Sequence, residues 1–183
     1  TDGYGEAFRA RVQAGRTSKQ MQPGYTTHIS TVDQDGNAVA MTHSLGETCG
    51  EVVPSAGILI NNFLGEEDVN PPTLARPAGS RLMTMCCPTL VETGKGQVFA
   101  MGSGGSGRIP SAVIHGAMYI VDYGFSAEEA VRAPRTHVEN GVLHVETEGR
   151  PHTVVSSIES ARPDLVRFDG PNMFFGGLHV ASV

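Results

Sequence analysis

The sequence is short of the residues that would mark several common chemistries. It has only 3 cysteines, at positions 49, 86 and 87. An odd number with two adjacent is no disulfide framework, and no Cys-x-x-Cys or spaced Cys/His set is there to hold zinc. Burial as small apolar residues is the expected fate of all three. Basic runs and interleaved basic and aromatic residues are missing, which with a net charge of -6 argues against a nucleic-acid partner; mild acidity of this size serves solubility. No apolar stretch reaches the length of a membrane span, and no signal peptide is visible. The first residue is threonine rather than methionine, so the compartment stays open. The 7 histidines show no His-Glu-x-x-His and no tight pair, so each reads as a surface or satisfied core residue and no metal is expected. There is no Gly-x-Ser-x-Gly elbow for a serine hydrolase. No cofactor-binding pattern and no internal repeat is found.

What is present is glycine, 23 residues of it, in a chain of 183 that is 39% hydrophobic. That length fits one domain with a real core. Residues 5–14 read as a short helix stopped at Gly15, and 16–24 as a polar, turn-rich linker. Residues 26–45 read as a β-hairpin turned at Asp35-Gly36, its returning strand small and apolar as if buried on both faces. A loop with two glycines follows, then a short strand at Ile58-Leu59-Ile60, ended by Asn61-Asn62. Residues 63–80, with an acidic cluster at Glu66, Glu67 and Asp68 and the Pro71-Pro72 pair, read as a long loop. Strands are expected at 88–92 and 97–101, and the second runs into the loop 102–108. A helix over 109–123 carries the stripe Val113, Ile114, Ala117, Ile120, Val121, with Gly124 as its C-cap. Ser126-Ala127-Glu128-Glu129 is a capping box opening a second helix that must end before Pro134. A hairpin turned at Asn140-Gly141 follows. The last 35 or so residues mix short apolar runs with Pro and Gly and yield no chemistry. The expected class is α+β, helices on a mostly antiparallel sheet.

Two stretches could carry chemistry. The loop Gly102-Ser103-Gly104-Gly105-Ser106-Gly107-Arg108 joins a strand to a helix. Unpaired N–H groups and the helix dipole there suit a phosphate, a carboxylate or a transition-state oxyanion. It lacks the Lys-Ser/Thr of a Walker loop and the Rossmann spacing. Glycines that merely allow close packing would look the same. The second stretch is Thr26-Thr27. A threonine hydroxyl is a poor nucleophile without an adjacent base. A free α-amine titrates near neutrality, at roughly 7.7–8.0, so a threonine freed at a chain terminus carries its own base. A polar linker directly before Thr26 is where processing would be expected. Thr-Thr on a strand is also ordinary β-propensity.

The combination is more specific than its parts. Thr26-Thr27-His28-Ile29-Ser30-Thr31-Val32-Asp33, Asp35-Gly36-Asn37-Ala38-Val39-Ala40, Gly57-Ile58-Leu59-Ile60-Asn61-Asn62, Pro88-Thr89, Gly102-Ser103-Gly104-Gly105, Asp122-Tyr123-Gly124 and Ala133-Pro134-Arg135, in that order, resemble the small subunit of γ-glutamyltransferases. These are N-terminal nucleophile hydrolases with a four-layer αββα sandwich. The resemblance implies that residues 1–25 are the tail of a large subunit, that 26–183 form the small-subunit catalytic domain, and that the chain is truncated after Ala181. It implies a precursor that cleaves itself before Thr26. The freed Thr26 would attack a γ-glutamyl amide such as glutathione, and water or an amine would resolve the acyl-enzyme. Ser44 falls where the family has a second threonine beside the nucleophile, and Gly105 and Ser106 fall at its two-glycine oxyanion hole. A large subunit of the same precursor would complete a heterodimer, adding about half the sandwich and an arginine for the substrate carboxylate.

The substrate-recognition positions depart from that pattern. Gly46 stands where the family usually has asparagine, and Phe63 and Glu66 where it has glutamine and aspartate for the α-amine. Thr84-Met85-Cys86 replaces the Ser-Ser-Met run that holds the α-carboxylate. Buried polar partners are what reject wrong substrates, so a non-glutamyl amide is an alternative. Residues 64–68 and 102–108 look more like the γ-glutamyltransferase-like branch, which includes amidohydrolases and acylases. An unprocessed, non-catalytic chain is the third reading.

Overall fold

The structure, a computed structural model, describes residues 26–46, 49–66, 69–71, 73 and 76–183. The expected helix over 5–14, the linker over 16–24, and Glu67, Asp68 and Pro72 lie outside the described residues. The chain divides into two compact units, one holding residues 44–84 and the other residues 26–43 with 85–183.

Strands β1 (Thr26–Val32) and β2 (Ala38–Ser44) form a two-stranded sheet. The Asp33 carboxylate builds their turn by accepting from the N–H groups of Asp35 and Asn37, each at 2.9 Å, and Gly36 takes φ 83°. β2 is not buried on both faces: Val39 and Met41 are exposed, and so is Ile29 of β1. A sheet packed on one side alternates inward and outward residues, and here the outward ones include the apolar Ile29, Val39 and Met41 beside Thr27, Thr31 and His43.

In the 44–84 unit, β3 (Val52–Val53) pairs antiparallel with β4 (Ile58–Leu59). A bridge joins Gly46 to Asn62 ahead of a 3-10 turn at Phe63–Gly65. The long loop beyond is tied by Asn70, which is buried and donates to the Phe63 carbonyl at 2.8 Å and the Met83 carbonyl at 3.5 Å.

In the larger unit, β5 (Thr89–Glu92) and β6 (Val98–Gly104) are followed by helix α1 (Ile109–Val121) and helix α2 (Ala127–Arg132). Then come β7 (Thr136–Glu139), β8 (Val142–Glu146), helix α3 (His152–Ala161), β9 (Val166–Phe168), a 3-10 turn at Met173–Phe175, and β10 (Gly177–Ser182). One sheet has the order β10-β6-β5, all antiparallel. The other is β7-β8-β9, with β9 parallel to β8 across α3.

β6 organises this unit because its two faces differ. Phe99 and Met101 point to one side and form the core with Ile109, Val113 and Ile120 of α1 and Ala130 of α2. Ile114 and Val121, expected in the helix stripe, are instead exposed; they flank the buried line of Ile109, Val113 and Ile120 and turn to solvent. Gly124 caps α1, donating to the Ile120 carbonyl at 3.2 Å with φ 70°. The Ser126–Glu129 capping box opens α2. Asn140 and Gly141 both take positive φ, at 52° and 80°, as a type I′ hairpin turn requires. Cys49 is exposed rather than buried, while Cys86 and Cys87 are half-buried, Cys87 against the core.

A buried ion pair fixes the second sheet. Arg135 and Glu146 are 9% and 2% exposed, and the guanidinium donates to both carboxylate oxygens, at 3.2 and 3.0 Å. The same carboxylate accepts the Arg135 N–H and the Asn172 N–H, each at 2.8 Å. Removing one partner strands a buried charge, so Glu146→Gln is expected to destabilise by about 3–5 kcal/mol. Urea unfolding of the variant checks this, and a loss below about 1 kcal/mol would mean the pair is well solvated.

Candidate functional site

Thr26 is the first residue of β1, and β1 crosses the face of β6 opposite the helices. What lets it come so close is glycine. Side chains alternate along a strand, so Ala100, Gly102 and Gly104 face β1. A Cβ on Gly102 would overlap the His28 imidazole. A Cβ on Gly104 would sit 3.0 Å from the Thr26 carbonyl oxygen and 3.7 Å from its Cβ. The Thr26 backbone thus lies directly on the last residue of β6.

His28 holds this arrangement in register. It is 4% exposed, and both ring nitrogens meet hydroxyls: Nδ1 with Thr42 of β2 at 2.8 Å and Nε2 with Ser30 at 2.9 Å. Its pKa is pushed below the ordinary 6.5, first by burial and then by the neighbouring His179 of β10, whose ring centroid is 6.2 Å away. The neutral ring therefore belongs to the fold.

β6 continues through Gly104, further than the sequence pattern suggests, and the chain then turns. Gly105 has φ 129°, and Ser106 has φ 52°, a left-handed conformation unusual for a residue with a Cβ. Residues Ser106–Arg108 form a 3-10 turn running straight into α1. Neither the Gly105 nor the Ser106 N–H meets an acceptor among the described residues. Two such N–H groups at the head of a 13-residue helix give a positive potential of the kind that suits an oxyanion. Thr26, Gly105 and Ser106 thus belong to one unit, with Gly104 linking them.

The other residues singled out from the sequence lie elsewhere. Met85 leans on the core around Phe99 and Met101. Ser44, Gly46, Phe63, Glu66 and Thr84 belong to the 44–84 unit. There the Ser44 hydroxyl accepts the Gly46 N–H at 3.1 Å. Gly46 is buried, with φ 63°, and a Cβ on it would lie 3.0 Å from the Asn62 carbonyl and 3.1 Å from the Phe63 nitrogen. Close packing and positive φ together select glycine here. The Glu66 carbonyl accepts from Val69 and Asn70, at 3.1 and 2.8 Å, and Thr84 is exposed. Gly102 and Gly104 read from sequence as part of the anion loop, and His28 as part of the motif, but not as the residues that seat β1 on β6. An alternation of small residues along 100–104, facing a strand with one buried histidine, is the signal that could have found them.

The chain is similar in sequence and fold to known proteins. The family model described as Gamma-glutamyltranspeptidase matches residues 4–182. An Acylase ACY 1 proenzyme from Pseudomonas sp. (strain V22) is 31% identical over 145 residues, 78% of this chain and 26% of that protein. The Glutathione hydrolase proenzyme of Escherichia coli (strain K12) is 32% identical over 147 residues, 69% of this chain and 25% of that protein. The chain thus spans about a quarter of the length of the curated relatives it matches. Among solved structures, a gamma-glutamyltranspeptidase from Pseudomonas nitroreducens complexed with L-DON superposes with a TM-score of 0.65 at 25% identity, covering 86% of this chain and 89% of that one.

Two outcomes follow from the packing around His28. Gly102→Ala must displace an imidazole held at both nitrogens and is expected to destabilise by about 1–3 kcal/mol. Gly94→Ala, with nothing within 4 Å of its added Cβ, is the control; equal melting temperatures for the two would refute the close approach. The second outcome concerns pH. The pKa values of His28, His115 and His137 are all lowered, with burial the largest cause in each. A depressed folded-state value means stability is complete above the unfolded pKa of about 6.5 and is lost as pH falls through the folded values. Urea midpoints are expected to decline between pH 7 and pH 5; a flat profile over that window would contradict neutral, buried rings.

Proposed function

Because the chain belongs to the gamma-glutamyltranspeptidase family, matched by its family model over residues 4–182, we propose that it carries the nucleophile-bearing part of an autoprocessing amide hydrolase and acyltransferase. The observation that supports this most is the seating of Thr26 on Gly104, next to the unpaired N–H groups of Gly105 and Ser106. Cleavage of the Tyr25–Thr26 peptide bond would give Thr26 a free α-amine. That amine takes the hydroxyl proton as Oγ attacks the amide carbonyl. Negative charge developing on the carbonyl oxygen is held by Gly105 N–H and Ser106 N–H. The tetrahedral intermediate collapses to an ester on Thr26, and the leaving amine takes up the proton. Water, or a second amine, then attacks the ester and regenerates Thr26. Backbone N–H groups do this work, so Ser106 in place of a second glycine is compatible with it.

The substrate class proposed first is a γ-glutamyl amide. A non-glutamyl acyl amide is the second reading, favoured by the buried, side-chain-free Gly46 where the family usually has asparagine, and by aromatic Phe63 at a position the resemblance assigns to the substrate α-amine. The similarity to an Acylase ACY 1 proenzyme points the same way. By the resemblance, Ser44 falls at the position of the family's second threonine, and Glu66, Thr84 and Met85 fall at its substrate-recognition positions.

The open outer face of β1 and β2, with Ile29, Val39 and Met41 exposed, supports a further layer supplied by the large-subunit portion of the same precursor. With the helices, the β10-β6-β5 sheet and the β1-β2 sheet, that layer would complete an αββα sandwich.

Thr26→Ala in the full precursor is expected to abolish both cleavage and turnover, a loss of at least about 10³-fold, while Thr27→Ala, whose side chain faces outward, loses far less. Intact mass and amide hydrolysis assays read the two effects. Full activity in Thr26→Ala would remove the proposal. Comparing kcat/KM for γ-glutamyl and simple acyl anilides separates the two substrate classes.

A further inference from the structure

The candidate oxyanion loop is not self-supporting. It rests on a hook formed by residues 174–176, just before β10. A Cβ on Gly105 would lie 2.8 Å from the Gly176 Cα, and a Cβ on Gly176 would overlap the Gly104 carbonyl oxygen. The two backbones touch with no side chain between them. Gly176 takes φ 74°, so glycine is selected there by conformation as well as by space.

Two arginines grip this hook by its successive carbonyls. Arg108, which closes the 3-10 turn after Ser106, donates from Nε to the Phe174 carbonyl at 3.1 Å. Arg135 donates from Nη1 to the Gly176 carbonyl at 2.7 Å and to the Phe175 carbonyl at 3.4 Å. Each guanidinium is oriented from behind by a carboxylate. Glu139 pairs with Arg108 at 3.2 Å, and Glu146 pairs with Arg135 at 3.0 Å. The rings anchor the hook on the β7-β8-β9 sheet. Phe175 is 2% exposed, Phe174 lies 4.5 Å from the His144 ring, and both pack on Phe168. The Arg108 guanidinium also sits 5.3 Å above the Phe174 ring.

We propose that Arg108, with the 174–176 hook, is a positioning device for the Gly105 and Ser106 N–H groups, so that the second sheet sets the geometry of the oxyanion loop. The consequence for Ser106 is physical. A non-glycine residue at φ 52° is strained and persists only where its surroundings over-determine it. The hook on one side and the start of α1 on the other supply that constraint. A donor pair that is to stabilise a transition state must be fixed before the charge develops, because reorganisation during the reaction would consume the gain. Arg108 does this at short range, being two residues from Ser106 and bonded to a carbonyl 66 residues further along the chain. This inference rests on the oxyanion role given to the loop in the proposed function.

The test uses the full precursor with Arg108→Met, which keeps the apolar stem and removes the donors. Arg132→Ala, an exposed residue that pairs with Glu128 on its own helix, is the control. Two readouts are taken. Hydrogen exchange by mass spectrometry follows the peptide covering 104–112, where the Arg108 N–H bonds the Gly105 carbonyl at 3.1 Å. Steady-state kinetics follow hydrolysis of a γ-glutamyl anilide and a simple acyl anilide. In Arg108→Met, exchange of that peptide is expected to quicken by about tenfold or more. On whichever anilide is cleaved, kcat is expected to fall by about 10–100-fold with KM nearly unchanged. The control leaves both as in the unsubstituted protein. Unchanged exchange in 104–112 overturns the positioning role, whatever the activity. Faster exchange with unchanged kcat on a cleaved anilide overturns it as well. If the unsubstituted protein cleaves neither anilide while exchange still quickens in the variant, the brace stands and the hydrolase reading fails.

Discussion

Everything at the candidate site depends on one close approach, that of β1 onto the side-chain-free face of β6. Two strands in separate sheets ordinarily stand about 10 Å apart, with side chains filling the gap. Here glycines at 102 and 104 let the His28 ring and the Thr26 backbone settle almost onto the β6 main chain. His28 is then trapped by hydroxyls on both nitrogens, and its neutrality is part of the fold. The same strand carries Phe99 and Met101 on its other face, into the core with α1 and α2. β6 therefore converts the stability of an ordinary hydrophobic core into the placement of one threonine.

The end of β6 makes a second use of that rigidity. The strand stops at Gly104, the chain reverses through Gly105 and Ser106, and α1 begins at Ile109. A strand-to-helix junction leaves N–H groups without partners by construction. What is specific here is the support behind them: a hook of chain from the C-terminal third, gripped by Arg108 and Arg135. The candidate oxyanion loop and a buried ion pair are thus linked through a short stretch of backbone.

Much of the fold was legible where the signal is local. Asp33 and Gly36 write the first turn, Ser126 and Glu129 write the start of α2, and Asn140-Gly141 writes a type I′ turn, all from side-chain chemistry within a few residues. The pattern failed where pairing is distant. β10 adds to β6 from more than 70 residues away, and β9 joins β8 in parallel through a crossover helix, so the last stretch of sequence looked featureless. Residues 102–104 read as loop because glycine carries no strand propensity, although β10 pairs with all three and holds them in a ladder. Outward apolar residues on β2 were taken for buried ones, since sequence alone does not say whether a sheet has a second covering layer. Thr26, Gly105 and Ser106 were reached through family resemblance. His28, Gly102, Arg108 and Arg135 stand in the motifs and the anion loop, but the contacts that join them to one another and to Gly176 emerge only from packing.

The central claim is that Thr26 becomes an N-terminal nucleophile. The most direct measurement is mass spectrometry of the full precursor after maturation and brief exposure to an excess of amide substrate, quenched in acid and digested. The account predicts a peptide whose first residue is Thr26, carrying the acyl group of the substrate as an acid-stable ester on its hydroxyl. An intact Tyr25–Thr26 bond in active protein, or an acyl group on a different residue, would contradict it.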